Sequence, residues 1–184
     1  MTDSNNKLIL LDADVLSHFC KAGKILLLVQ MFSTRLVLLD IVKDELCRLP
    51  FLKSCVDTLI EHFNINQLIV TDDIEIYGEY SNLEKTYGRG ESACMAYARK
   101  SDDIIASSNL TDIRIYCQKH GIEYMTTMDI LLIARLENYL NERECDEFIS
   151  RVKKRSSKLP CDSISDYESI CDPTKVARLR NLTK

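Results

Sequence analysis

The stretch Lys7-Leu8-Ile9-Leu10-Leu11-Asp12-Ala13-Asp14 decides the fold class of this chain. Its unbroken apolar run is typical of a strand that is buried on both faces, as in a parallel sheet. Asp12 closes the strand, at a place where a lone carboxylate is costly to bury without a partner. We therefore interpret Asp12 as a functional residue; the alternative is a simple turn residue at the end of the strand.

Outside this stretch, strand-like and helix-like segments alternate along the chain. Apolar segments predict further strands at residues 35–39, 68–70, 103–106 and 122–126. Helical composition predicts helices at residues 14–31 with a break near Gly23, 41–48 with Pro50 as a stop, 51–63, 77–85 after a cap at 71–73, 91–100, 109–120, 128–140 and 142–155. This alternation predicts an α/β fold with three layers, α/β/α, around a mostly parallel central sheet of four or five strands.

The chain of 184 residues is long enough for one domain with an appendage. We expect the domain at residues 1–156 and a basic, mobile C-terminal tail at residues 157–184, where large apolar residues are few. The alternative is a tail that docks on the body through Ile164, Tyr167 and Ile170, which have helical spacing. The net charge is −4, yet residues 151–184 have nine Lys and Arg against four Asp and Glu. An acidic body with a basic end suits an enzyme that gathers divalent cations and holds a polyanion.

The sequence also indicates a cellular compartment. No apolar run approaches the roughly 18 residues of a membrane helix, and the polar start of the chain is unlike a signal peptide. The eight cysteines include no CxxC pair, so we interpret them as reduced, buried thiols rather than as a zinc site or disulfides. We therefore expect a cytoplasmic protein with no membrane partner.

Several acidic and amide side chains follow the predicted strands, begin the next helices or, in the case of Glu45, lie one turn into a helix. They are Asp12, Asp14, Glu45, Glu91, Asn109 and Asp112. In open parallel sheets, ligands bind at the carboxyl ends of the strands. We therefore expect most of these side chains to converge at one edge of the sheet, although they are far apart in sequence.

A cluster of this kind predicts a bound cation. Carboxylates a few ångströms apart cannot all stay ionised without a counter-ion. Mg²⁺ or Mn²⁺ would supply that charge, because hard cations prefer several oxygen ligands. Such ions lower the pKa of a water molecule and neutralise charge on a phosphate under attack, which is the chemistry of phosphodiester hydrolysis.

Four motifs resemble those of the PIN-domain nuclease family. The run from Leu8 to Leu16 resembles the family's opening strand, and Val42-Lys-Asp-Glu45-Leu is similar to its second acidic motif. Gly88-Arg-Gly90-Glu91-Ser-Ala-Cys-Met-Ala-Tyr-Ala is the most specific match. Ile104-Ile-Ala-Ser-Ser-Asn109-Leu-Thr-Asp112, followed by a helix and His120-Gly121-Ile122, resembles the fourth-strand block. The resemblance covers about residues 7–140.

The resemblance implies a metal-dependent endoribonuclease that cuts RNA with the help of Mg²⁺ or Mn²⁺. Asp12, Glu45 and Glu91 would be metal ligands, together with an acid after the fourth strand. At that last place the family usually has Asp where Asn109 stands, or Ser108 if the alignment shifts by one residue; Asp112 would then compensate for the missing charge. A toxin-type family member would also have an inhibitory protein partner, and a homodimer is a further expectation.

Each candidate residue has a structural alternative. Asp14 could cap a helix, Glu45 could lie on a helix surface, and Glu91 could interact with its helix dipole. Asn109 and Asp112 also imitate a capping box. We treat Asp14 and Ser108 as weaker substrate contacts, and Lys153-Lys154-Arg155 either as a solvated helix end or as a grip on phosphate.

Two other functions are compatible with the pattern. One is a degenerate PIN-like module that binds nucleic acid or protein without cutting, which Asn109 supports. The other is a haloacid-dehalogenase-like phosphatase, because an Asp-x-Asp motif after an apolar strand also begins that family. Its pattern fits less well, since position 16 is Leu and the acidic pair Asp102 and Asp103 precedes its strand.

Overall fold

A computed structural model describes residues 7–181, so the two ends of the chain, 1–6 and 182–184, lie outside the described residues. Five strands form one sheet: β1 (Ile9–Leu11), β2 (Leu36–Leu39), β3 (Asn66–Leu68), β4 (Ile104–Ala106) and β5 (Tyr124–Met125). The order is β3-β2-β1-β4-β5, and every neighbouring pair is parallel. The central strand β1 therefore pairs on both sides, with Ile9 opposite Leu36 and Ile104.

Helices connect and cover the strands. They are α1 (Ala13–Ala22), α2 (Ile25–Phe32), α3 (Asp40–Leu46), α4 (Pro50–Phe63), α5 (Ile74–Leu83), α6 (Arg89–Ser101), α7 (Leu110–His120), α8 (Thr127–Leu136), α9 (Glu142–Lys154), α10 (Ile164–Ile170) and α11 (Pro173–Arg180). Helices α1 to α4 contact one another, whereas α5 and α7 both pack on α6. Right-handed crossovers place these two groups on opposite faces of the sheet, because the chain runs outward to β3 and then returns to β4. The predicted three-layer α/β/α fold is confirmed.

The composition of the strands explains why this sheet is central. All residues of β1, β2 and β4 are buried, and all of them are apolar. A parallel strand covered by helices on both faces requires such a composition. The chain order also reverses beside β1, since β2 and β3 lie on one side and β4 and β5 on the other. The carboxyl ends of β1 and β4 thus form the switch point where ligands bind in open α/β sheets.

Several predicted element boundaries shift in the structure. The break near Gly23 occurs as expected, with Gly23 in the left-handed region at φ 69°. Pro50 does not stop a helix but begins α4, where its missing N–H has no cost. The third strand covers residues 66–68 rather than 68–70, because Val70 begins a 3₁₀ turn and donates its N–H to Asp40 Oδ1.

The C-terminal segment from residue 157 to residue 181 differs from the mobile tail that its composition suggests. It forms α10 and α11, which pack on α8 and α9. Ile164 and Leu179 are fully buried, and Val176 is nearly so. Of the three residues considered for docking, Ile164 packs in the core, Tyr167 is partly buried and Ile170 is 70% exposed.

A buried polar network holds this segment in place. Asp129, in the first turn of α8, is only 1% exposed. Its carboxylate accepts hydrogen bonds from the N–H and hydroxyl of Thr126 and from the hydroxyl of Tyr167. Lys175 forms an ion pair with it at 2.7 Å, and the ammonium group also lies 4.2 Å from the ring centroid of Tyr124. The network fixes α10 and α11 to the strand β5 side of the sheet.

All eight cysteines are free, and five of them are buried. Among the described residues, no single helix is long and apolar enough to span a membrane. Only Ala13–Ala22 and Ile25–Arg35 taken together reach that length, and they are bent by 115° at their junction.

We predict that Lys175→Met destabilises the protein by about 3 kcal/mol, because it leaves the buried Asp129 without its cation. Lys53→Met is the matched control, since Lys53 pairs with Asp57 on the exposed surface of α4 and its loss should change little. Urea unfolding at pH 7, followed by circular dichroism, measures both variants. Equal stability of the two variants would show that the Asp129 network does not hold the C-terminal helices.

Candidate functional site

A pocket of about 320 Å³ lies at the carboxyl ends of β1 and β4. Its lining contains all six acidic and amide side chains that the sequence singles out, together with three small residues. The lining residues are Asp12, Ala13, Asp14, Glu45, Gly88, Gly90, Glu91, Asn109 and Asp112. Four separate parts of the chain therefore meet around one space.

Asp12 is positioned by the end of β1. Its N–H donates to the carbonyl of Ala106 at 3.0 Å, which continues the pairing of β1 with β4. Its side chain is the N-cap of α1 and accepts a hydrogen bond from the N–H of Ala13 at 2.7 Å. Only 3% of Asp12 is exposed, so this carboxylate is buried at the base of the pocket.

Asp14 is held by the segment that follows β4 and is not the helix cap. One of its carboxylate oxygens, Oδ2, accepts hydrogen bonds from the N–H of Ser108 at 2.8 Å and the hydroxyl of Ser107 at 3.4 Å. The other oxygen, Oδ1, is buried and has no hydrogen-bond partner among the described residues. A buried acceptor without a partner is rare in folded proteins, and it marks a place where a ligand or a water molecule fits.

Beneath Asp14, Ser108 belongs to a second set of hydrogen bonds. Its hydroxyl donates to Thr127 Oγ1 at 2.8 Å and accepts from the N–H of Thr127 at 3.0 Å. Thr127 Oγ1 in turn lies 2.8 Å from Nδ1 of the buried His18. The Ser108 hydroxyl thus supports the loop from within and does not line the pocket. No local sequence pattern distinguishes Thr127 and His18 from other polar residues of a protein core.

Glu45 and Asp12 meet at Gly90. A Cβ atom at Gly90 would lie 3.0 Å from Glu45 Oε2 and 3.1 Å from Asp12 Oδ1. The two carboxylate oxygens are therefore no more than about 6 Å apart. Gly90 also approaches Val42 of α3, so its lack of a side chain lets the start of α6 pack against α3. The Gly-x-Gly-Glu motif thus makes room for two of the acids and supplies a third.

Glu91, Asn109 and Asp112 form the opposite wall. The Asn109 side-chain amide donates hydrogen bonds to Glu91 Oε1 and, at 3.1 Å, to Asp112 Oδ2. Asn109 is the N-cap residue of α7 but makes no side-chain cap hydrogen bond. The capping-box interpretation of Asn109 and Asp112 is therefore wrong, because the amide is directed at the two carboxylates instead.

The environment of the pocket shifts the titration of its acids. Burial raises the pKa of Asp12 well above its usual value, and the charge of Asp14 raises it further. Burial raises the pKa of Asp14 to about 6, although hydrogen bonds from Ser108 and Ser107 oppose the change. Burial also raises the pKa of Glu91, with the hydrogen bond from Asn109 opposing and the charge of Asp112 adding. Several raised carboxyl pKa values in one cleft are typical of functional sites.

The chemistry of the donors fits a hard divalent cation such as Mg²⁺ or Mn²⁺. The polar side chains of the pocket offer carboxylate and amide oxygens, the ligands that such ions prefer. Asp14 Oδ1, which is buried without a partner among the described residues, also favours a small ligand. As they stand, however, no three His, Cys, Asp or Glu side chains within residues 7–181 form a group that could hold a metal ion.

The basic residues considered as a phosphate grip lie elsewhere. Lys153 pairs with Asp162, and the Arg155 guanidinium stacks over the ring of Phe51 at 5.3 Å. Nearby, Ser157 accepts a hydrogen bond from Lys21 in the last turn of α1. Asp12 caps the other end of this ten-residue helix, which is about 15 Å long. Lys153, Lys154 and Arg155 are therefore separated from the pocket, because α9 runs beside the far end of α1.

The acidic pair of the phosphatase alternative lies at the other end of the sheet. Asp103 precedes β4 and accepts the N–H of Leu8 at 2.8 Å, before β1 begins. Asp102 pairs with Lys7 on the same side.

Comparisons of the chain with models of protein families, with curated proteins and with solved structures found no match.

We predict that Gly90→Ala destabilises the protein by about 1 to 2 kcal/mol, because the added methyl group would press on Asp12 and Glu45. Gly78→Ala is the matched control. Gly78 is exposed in α5, and a methyl group added there would have nothing within 4 Å, so alanine should stabilise by about 0.5 to 1 kcal/mol. Urea unfolding of both variants tests the close approach; the same gain in both would mean that the carboxylates move aside freely.

We predict a pH-dependent loss of stability that comes from His18. Burial lowers the pKa of His18 to about 4, from about 6.5 when the chain is unfolded. Protons therefore bind more readily to the unfolded state, and stability falls as the pH decreases from 6.5 to 4, by roughly 3 kcal/mol at most. The raised carboxyl pKa values of the pocket act in the opposite direction, so the effect must be isolated by comparison with a variant.

The comparison uses His18→Gln. The free energy of unfolding of the wild type should fall more steeply between about pH 7 and pH 4 than that of this variant. His62→Gln is the control, because His62 is exposed on α4 and should leave the pH profile unchanged. Parallel profiles for the wild type and His18→Gln would contradict a buried neutral histidine.

Proposed function

We propose that the protein is a Mg²⁺- or Mn²⁺-dependent endoribonuclease that hydrolyses phosphodiester bonds in RNA. One observation carries the proposal: Asp12, Asp14, Glu45, Glu91 and Asp112 surround one pocket at the switch point of a parallel sheet. No ion pair within residues 7–181 involves any of them. Carboxylates concentrated in this way, without a cation of the protein's own, favour an external cation.

The residues of the pocket would have different roles in the reaction. Asp12 and Glu45, which approach each other over Gly90, would hold the cation. When bound, a divalent cation lowers the pKa of water and neutralises charge on the phosphate. Asp14, fixed by the N–H of Ser108, would keep its free oxygen directed at the same space and accept a hydrogen bond there.

RNA is the substrate that the sequence motifs favour. The Gly-x-Gly-Glu turn and the strand-Asp opening, which resemble PIN-domain nucleases, supply the residues around the pocket. A cytoplasmic location is part of the proposal, since all eight cysteines are free, as in a reducing compartment. An inhibitory protein partner and a homodimer remain expectations from the resemblance alone.

A second candidate is a module that binds nucleic acid or protein without cutting it. The amide of Asn109 favours it, because this side chain already satisfies Glu91 and Asp112 with hydrogen bonds. A site whose carboxylates already have hydrogen-bond partners has less need of a cation, and fewer bound cations would neutralise less charge on the phosphate. Cleavage and cation binding must therefore be measured separately.

We predict that the purified protein cuts single-stranded RNA in the presence of Mn²⁺ and not in the presence of a chelator. Asp12→Asn and Glu45→Gln should each lower the cleavage rate by roughly 100-fold or more, because they remove charge aimed at the developing transition state. A fluorophore-quencher RNA measures the rate. Glu147→Gln, which removes the same charge from the exposed surface of α9, should leave the rate unchanged.

Stability measurements distinguish a lost function from a lost fold. Asp12→Asn should unfold at the same or a higher urea concentration, because it removes one of several like charges while an amide oxygen can still accept from Ala13. Mn²⁺ binding without cleavage would support the binding module. Cleavage that survives both substitutions would contradict the proposed site.

A further inference from the structure

We infer that Asn109 limits the acidic pocket to one divalent cation, held on the side of Asp12 and Glu45. The inference rests on the proposed function and deepens it by assigning the number and the place of the ions. It follows from the way in which hydrogen bonds divide the pocket into two walls.

The first wall is already closed by hydrogen bonds. A side-chain amide has two N–H donors, and the nitrogen of Asn109 reaches both Glu91 Oε1 and Asp112 Oδ2. Hydrogen bonds to ionised carboxylates are about twice as strong as those between neutral groups. The amide thus occupies the position between two carboxylates that a cation would otherwise take.

In the second wall, no side-chain amide of the described residues donates to the carboxylates. Asp12 Oδ1 and Glu45 Oε2 lie 3.1 Å and 3.0 Å from the point where a Cβ of Gly90 would be. Asp14 Oδ1 belongs to a residue of the same pocket, and it is buried without a partner. Among the described residues, the N–H of Ala13 donates a hydrogen bond to the Asp12 carboxylate, and the Ser107 hydroxyl is a further hydrogen-bonding partner. This wall therefore has acceptor oxygens in excess of donors, which a cation would balance.

The identity of residue 109 sets the difference between the walls. Aspartate at this position would be a third carboxylate within hydrogen-bond distance of Glu91 and Asp112, and it would need a cation to stay ionised. Asparagine stabilises the Glu91 and Asp112 carboxylates by hydrogen bonds, so no cation is needed between them. A second ion would have to displace the amide and lose both of its hydrogen bonds, and would gain only two carboxylates in return.

Titration of the purified full-length protein with Mn²⁺ alone tests the inference without reference to activity. Calorimetry gives the stoichiometry, and electron paramagnetic resonance of free Mn²⁺ checks it. The wild type should bind one ion, and Asn109→Asp should bind two. Asn141→Asp is the control, because it adds the same charge at the N-cap of α9, where Asp caps as well as Asn, and should still bind one ion.

Two further variants locate the ion and remain informative if Asn109→Asp does not fold. Glu45→Gln should weaken the binding of the single ion by roughly tenfold or more, by analogy with the loss of groups around metal sites. Asp112→Asn should leave one ion bound with similar affinity. Circular dichroism spectra of each variant verify the fold before titration.

Each other outcome has a definite meaning. Two ions in the wild type, or one in a folded Asn109→Asp, would overturn the inference and leave the proposed function standing. Loss of the ion in Asp112→Asn but not in Glu45→Gln would place the ion at the wall of Glu91, Asn109 and Asp112, and would also overturn the inference. One ion without cleavage would support the inference and contradict the proposed enzyme. No bound ion would overturn both.

Discussion

The pairing of β1 with β4 is the contact on which the arrangement of the pocket depends. Asp12 continues this pairing, because its N–H donates to the carbonyl of Ala106 at the end of β4. Ser108, two residues further along, donates its N–H to the Asp14 carboxylate. The two strands are adjacent only because the chain order reverses beside β1. Residues almost one hundred positions apart in sequence are in this way brought within hydrogen-bond distance. The same topology buries Asp12 and Asp14 beside each other. Burial raises the pKa of both carboxyl groups, and the charge of Asp14 raises that of Asp12 further.

Backbone and amide donors offset part of the cost of this crowding. Ala13 and Ser108 donate N–H groups to Asp12 and Asp14, and Asn109 shares its amide between the two carboxylates of the opposite wall. None of these donors carries a full positive charge. The apolar strands beneath the pocket are fully buried and support it, while no ion pair of the described residues supplies its carboxylates with a cation.

The sequence predicted the layers, the parallel sheet and the residues that line the pocket, since these follow from apolar periodicity and from the ends of strands. It could not predict interactions between distant short polar residues. Thr127 and His18 support Ser108 from other helices, and no local pattern marks them. The docking of α11 was also hidden, because Lys175 pairs with Asp129 forty-six residues away. A polar, basic composition described the exposed face of that segment and not its buried one.

Aspartates after strands are not by themselves evidence of a site, and three of them in this fold show why. Asp40, after β2, accepts the N–H of Val70, and Asp129, after β5, has a lysine, a tyrosine hydroxyl and a threonine as partners. Asp12 is buried as deeply as Asp129, but its neighbours are other acids. Both carboxylates are buried and accept hydrogen bonds, so the difference lies in the charge. Asp129 pairs with Lys175, whereas no ion pair of the described residues involves Asp12. Under the proposed function, a cation from outside the chain balances the charge that folding leaves on Asp12 at the switch point of the sheet, and this separates a binding group from a structural one.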